Sequence, residues 1–216
     1  MKPTAKLHDI GQSLWLDNIT RTMLADGTLQ GYIDELSVTG LTSNPTIFDK
    51  AISAGDAYDE QIAELSDSAT TEDGIGATPS ERIFFELALA DLRDATDLFK
   101  PVHERTAGVD GFCSLEVSPL IADDAEATIE EAAALHAKAE RDNLFIKIPG
   151  TEAGLTAIEE SIFAGIPINV TCSSRTSNTW PRPKLSCAGS SGACMPGWIP
   201  TSVRWPRCSS AAGTRP

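Results

Sequence analysis

Through residue 171, short apolar runs alternate with longer stretches of helical periodicity, a pattern that leaves few folds open to this chain. The first run is Ser13-Leu14-Trp15-Leu16-Asp17, and the second is Val38–Thr42, after a helical stretch from Leu29 to Leu36. Asn44-Pro45 then begins a helix, with proline suited to its first position. Residues 56–70 read as a surface helix and 70–79 as a loop. Pro79 to Glu104 reads as a long amphipathic helix with Ile83, Leu87, Leu89, Leu92 and Leu98 on its apolar side. A strand over Gly111–Val117, a helix over Asp124–Arg141, a strand over Asn143–Ile148, a helix over Glu152–Phe163 and a strand over Ile166–Thr171 complete the series. Such a series suits an α/β barrel or a doubly wound sheet. It contains neither Gly-x-Gly-x-x-Gly nor a phosphate loop, which weakens nucleotide binding and favours the barrel.

Side chains alternate between the two faces of a strand, so parity sorts them. Leu14 and Leu16 oppose Trp15 and Asp17; Leu115 and Val117 oppose Ser114 and Glu116. Leu144, Ile146 and Ile148 oppose Phe145 and Lys147, and Ile168 and Val170 oppose Asn169 and Thr171. Each strand thus carries a polar residue near its C-terminal end, where α/β barrels hold their active sites. Asn44 follows the second strand at the same end. Singly, each has an ordinary explanation: a snorkelling lysine, a turn acid, a helix start. Their recurrence at one end of four strands makes them a candidate set.

Lys147, within Phe-Ile-Lys-Ile-Pro, carries the most chemistry. An apolar setting disfavours the ammonium form, and the neutral amine can attack a carbonyl to form a Schiff base. Nearby carboxylates would then move protons during dehydration and carbon–carbon cleavage.

Composition divides the chain after Thr171. Of its 216 residues, 31 are acidic and 17 basic, for a net charge of −14. All 31 acids and 11 of the bases lie in residues 1–171, a net −20, whereas 172–216 hold six bases and no acid. The acidic balance argues against nucleic acid or an anionic membrane as partner. No run approaches the roughly 20 apolar residues of a spanning helix, and no secretory h-region is present, so a soluble cytoplasmic protein is expected. Cys172, Cys187, Cys194 and Cys208, spaced by 15, 7 and 14 positions, do not match zinc-ligand spacing. The histidines at 8, 103 and 136 are scattered and suggest no metal site, and Cys113 is expected to be a buried strand residue.

Five motifs together resemble the transaldolases of actinobacteria and related bacteria: Ser-Leu-Trp-Leu-Asp-Asn-Ile (13–19), Gly-Leu-Thr-Ser-Asn-Pro-Thr-Ile-Phe (40–48), Ser-Leu-Glu-Val-Ser-Pro (114–119), Leu-Phe-Ile-Lys-Ile-Pro-Gly-Thr (144–151) and Ile-Asn-Val-Thr (168–171). The resemblance spans nearly all of residues 3–171. It implies a (β/α)8 barrel of the class I aldolase kind, truncated after about the fifth strand, with no metal or organic cofactor. It further implies transfer of a dihydroxyacetone unit from sedoheptulose 7-phosphate to glyceraldehyde 3-phosphate in the pentose phosphate pathway, giving erythrose 4-phosphate and fructose 6-phosphate. By position, Lys147 resembles the Schiff-base lysine, and Asp17 the acid/base that takes the C4 hydroxyl proton. Glu116 and Thr171 resemble the pair that holds the catalytic water, and Asn44 and Asn169 the residues that fix the dihydroxyacetone hydroxyls.

The resemblance stops at Thr171, where relatives usually continue Leu-Leu-Phe-Ser and this chain reads Cys172-Ser173-Ser174. Restoring one base after codon 171 permits a frame beginning Leu-Leu-Phe-Ser and ending in a strand with Phe-Val-Ser-Arg-Trp-Asp, where the family keeps its phosphate-binding Ser and Arg. Residues 172–216 are therefore expected to be an out-of-frame, disordered tail, and the chain to be aggregation-prone with negligible turnover because an unclosed barrel leaves open sheet edges. A fructose-6-phosphate aldolase is the alternative enzyme, which the long acidic insertion at about 52–105 disfavours. A non-catalytic fragment is the alternative outside enzymology.

Overall fold

The computed structural model describes residues 2–68, 75–76 and 78–171; the expected tail, 172–216, lies outside them. Among the described residues the elements follow in chain order. Helix α1 (Pro3–Asp9) precedes strand β1 (Leu14–Asp17), and two short helices, α2 (Arg21–Ala25) and α3 (Thr28–Leu36), lead to β2 (Val38–Thr42). Three helices follow, α4 (Pro45–Ser53), α5 (Asp59–Ser68) and α6 (Pro79–Arg105), before β3 (Phe112–Glu116) and a 3-10 turn, Pro119–Ile121. Then come α7 (Ala125–Ala139), β4 (Leu144–Pro149), α8 (Glu152–Phe163) and β5 (Ile168–Thr171).

Side chains fix the helix starts. Thr20, Asn44, Asp124 and Thr151 each accept a hydrogen bond from the backbone N–H three residues on. Thr78 and Glu81 form a reciprocal capping box ahead of α6, whose first residue is Pro79.

All four strand pairings are parallel, and the sheet runs in the order β1-β2-β3-β4-β5. That order separates the two expected architectures. A doubly wound sheet reverses its order at a switch point to place helices on both faces. Strictly sequential parallel strands joined by right-handed crossovers place every helix on one face, as in a (β/α)8 barrel. The fold is α/β, five consecutive strands of such a barrel with their helices.

The core lies between sheet and helices. Leu41, Cys113, Leu115, Leu144, Ile146 and Ile148 are all buried and share one cluster with Leu92, Phe99 and Leu135 from α6 and α7. On α6 the buried stripe is Phe85, Ala88, Leu89, Leu92, Ala95, Phe99 and Val102. Ile83 and Leu98, expected on the apolar side, are only partly buried.

The 56–70 stretch holds a surface helix, as read, with one buried residue just ahead of it. Helix α5 starts at Asp59, and Tyr58 just before it is 1% exposed. Its hydroxyl donates to Asp91 of α6 at 2.7 Å, and the Arg21 guanidinium lies 4.2 Å from the centre of its ring. Arg21 also donates to Asp91 at 2.9 Å and to Gln61 at 2.7 Å. This buried cluster ties α2 and α5 to α6 and supplies a second buried edge on that helix.

Candidate active site

The parallel register sorts the residues on the sheet face away from the core into rows. One row is Asp17–Thr42–Ser114–Phe145; the next is Glu116–Lys147–Asn169. Thr171 stands opposite Pro149, one step further along.

The floor of this face is aromatic. Trp15 and Phe145 stack with ring centres 6.2 Å apart, and Phe145 and Phe112 stack at 4.0 Å. Gly40 makes room for the indole: a Cβ there would sit 2.4 Å from a Trp15 ring carbon. Trp15, Phe145, Ile168 and Asn169 line an open cavity of about 300 Å³.

Lys147 rises from this floor and is 8% exposed. Its Nζ donates to Glu116 Oε2 at 3.1 Å and to the backbone carbonyl of Ser43 at 2.8 Å. The lysine thus crosses β3 to reach the end of β2. Ser43 is itself fully buried and donates from Oγ to the Ser114 carbonyl at 2.7 Å. Ser114 Oγ in turn donates to Thr42 Oγ1 at 3.1 Å.

The six sequence-derived candidates are not equally close. Glu116 and Lys147 touch, and Asn169 is Lys147's register partner. Asn44 directly follows Ser43, and its Oδ1 accepts from Ile47 N–H at 3.0 Å, capping α4. Its amide N–H groups have no partner among the described residues. Asp17 is exposed at the end of β1, one row below Lys147 and three strands away. Thr171 is half-buried at the end of β5, and its carbonyl accepts from Gly150 N–H at 2.8 Å. Sequence parity overlooked Ser43, which falls just past the strand; its position between Thr42 and the Asn44-Pro45 helix start was the available signal.

A second carboxylate site adjoins the same strand ends. Buried Glu131 of α7 accepts from the N–H groups of Ser118 at 2.6 Å and Gly76 at 3.2 Å. Burial pushes its carboxyl above the ordinary 4.5, against those two donors. Cys113 is fully buried, which pushes its thiol well up. Among the described residues, no three His, Cys, Asp or Glu side chains gather to hold a metal ion, and no helix is long and apolar enough to cross a membrane.

The family model for transaldolase/fructose-6-phosphate aldolase matches residues 14–173, which takes in all five strands and every candidate residue above. This chain belongs to that family. A transaldolase of Kocuria rhizophila is 46% identical over 169 residues, covering 78% of this chain and 44% of the relative. Transaldolase 2 of Streptomyces coelicolor is 46% identical over 166 residues, 77% of this chain and 42% of its own length. A transaldolase of Trichodesmium erythraeum is 44% identical over 167 residues, with 77% and 42% covered. The chain therefore spans less than half the length of these curated relatives.

Proposed function

We propose that the chain carries the Schiff-base half of a transaldolase, and that Lys147 is its nucleophile. One observation carries this reading: a nearly buried amine, 3.1 Å from a carboxylate, at the C-terminal end of parallel barrel strands, with the lysine's register partner Asn169 lining a cavity. Glu116 can take the proton that the amine must lose before it attacks the C2 carbonyl of a ketose phosphate. With Thr171, Glu116 would then hold the water that leaves the carbinolamine. Asp17 accepts the C4 hydroxyl proton as the C3–C4 bond breaks, the aldose departs, and a dihydroxyacetone unit remains on the lysine. The amide N–H groups of Asn44, without a partner among the described residues, and Asn169 beside the cavity suit the hydroxyls of that unit. Addition to a second aldehyde and hydrolysis release the product, with sedoheptulose 7-phosphate and glyceraldehyde 3-phosphate as substrates and erythrose 4-phosphate and fructose 6-phosphate as products. The lysine route needs no metal or organic cofactor.

The relatives named transaldolase and the three helices between β2 and β3 favour this over a fructose-6-phosphate aldolase. Borohydride reduction in the presence of fructose 6-phosphate tests the reading. A dihydroxyacetone adduct on the Lys147 peptide, absent in Lys147→Met, is expected, because Schiff-base formation is one step and does not require the full turnover expected to be negligible; wild-type protein with no adduct would defeat it and point to the non-catalytic fragment. Release of free dihydroxyacetone without transfer to erythrose 4-phosphate would point to the aldolase. Sequencing the coding DNA across codon 171 tests the frame reading of residues 172–216.

A further inference from the structure

We infer that Ser43 is a positioning residue for the Lys147 amine, acting through its own peptide carbonyl; the catalytic side of this inference rests on the reading just given. The backbone ladder between β2 and β3 runs Gly40–Phe112, Leu41–Cys113, Thr42–Ser114 and stops there, because the chain turns into α4 at Asn44. Ser43 is the first residue beyond the ladder, and its carbonyl is the one that receives Lys147 Nζ at 2.8 Å. The peptide after Ser43 is held on its far side by the Asn44 cap of α4, and no backbone rung to β3 holds it on the near side. Here the Ser43 hydroxyl bonds the Ser114 carbonyl at 2.7 Å and extends the β2–β3 pairing by one side-chain rung. The Ser114 Oγ to Thr42 Oγ1 bond at 3.1 Å braces the rung below it.

The hydroxyl is fully buried, so water cannot replace it when it is removed. The amine is thus held between two acceptors of different kinds. Glu116 can receive its proton, whereas the carbonyl of Ser43 can only aim it. Loss of the Ser43 hydroxyl should therefore have opposite effects on two reactions of the same lysine. A small reagent with no binding requirement gains access to a looser amine. A ketose that must meet the amine at one angle loses it.

The test compares Ser43→Ala with wild type by two mass-spectrometric readouts on the Lys147 peptide: the rate of trace acylation by acetic anhydride, and the yield of borohydride adduct with fructose 6-phosphate. Acylation is expected to rise about three- to tenfold, from partial loss of one charge-assisted hydrogen bond. Adduct yield is expected to fall by a similar factor. Ser43→Thr, which keeps the donor, should restore both. A role through packing alone would leave both readouts indifferent to the donor. Wild-type acylation of Lys147 in folded Ser43→Ala would overturn the inference. If the alanine variant does not fold, Ser43→Cys, of similar size with a weak donor, takes its place under the same criterion. Because acylation needs no sugar phosphate, a wild-type chain that forms no adduct would sink the transaldolase reading while leaving the acylation result to decide the role of Ser43.

Discussion

Arg21→Met should cost about 3 kcal/mol of stability at neutral pH, with Asp91 carrying the loss. The Asp91 carboxylate is 2% exposed and has two donors, Arg21 at 2.9 Å and the Tyr58 hydroxyl at 2.7 Å. Breaking a buried ion pair from one side costs about 3–5 kcal/mol, because a charge is left uncompensated. The Arg21 side chain is 26% exposed, so some water reaches its end of the pair and the lower figure applies. Burial already pushes the Asp91 carboxyl above its ordinary 3.8, with Tyr58 and Arg21 working against the rise. Removing Arg21 pushes it higher still. A carboxyl raised by folding binds its proton more tightly in the native state than in the unfolded chain. Its contribution is therefore fully present below 3.8 and lost as pH rises through the raised value. The Arg21→Met penalty should accordingly shrink as pH falls from neutral through the raised value towards 3.8. Asp91→Asn, added to Arg21→Met, should recover most of it. Urea unfolding followed by helix circular dichroism measures all four corners of the cycle. A penalty that stays constant with pH, or a double variant no more stable than Arg21→Met, would show that Asp91 is not the charge at stake.

Other positions give independent checks. Gly40→Ala drives a Cβ to 2.4 Å from the Trp15 ring, so a loss of about 1–3 kcal/mol and a changed near-ultraviolet signal from the displaced indole are expected. Burial lowers the pKa of His136, whose Nε2 has no partner among the described residues, below the ordinary 6.5. The stability it contributes is present above 6.5 and lost as pH falls through the lowered value; His136→Leu should flatten the melting temperature over that range. Glu140 closes α7 with φ 54, a left-handed conformation that glycine adopts freely, so Glu140→Gly should gain about 0.5–1 kcal/mol in a urea titration.

The strands were legible because burial on one face writes a period of two into even four residues. Leu144, Ile146 and Ile148 announce β4 and, by exclusion, the face of Lys147. Long α6 showed its periodicity, but not its second buried edge, since Asp91 is buried by Tyr58 and Arg21 from 33 and 70 positions away. Five-residue α2 is too short for any period and is held by the Thr20 cap and the contacts of Arg21. At the candidate site the residue types were readable, whereas their levels were not. Register between parallel strands is set by packing along the whole sheet, which is why Asp17 falls in the row of Phe145 rather than of Lys147. Ser43 escaped because its part is played by a backbone carbonyl, which every residue type supplies.

The sequential strand order also bears on how such a sheet is made. Among the described residues, each strand after β1 pairs with the one synthesised just before it. At about 5–20 residues per second, roughly two to six seconds separate the emergence of Glu116 from that of Lys147. Within that interval β2 and β3 can already be joined, with the Ser43 hydroxyl on the Ser114 carbonyl. The Lys147 amine would then arrive after both of its acceptors are in place.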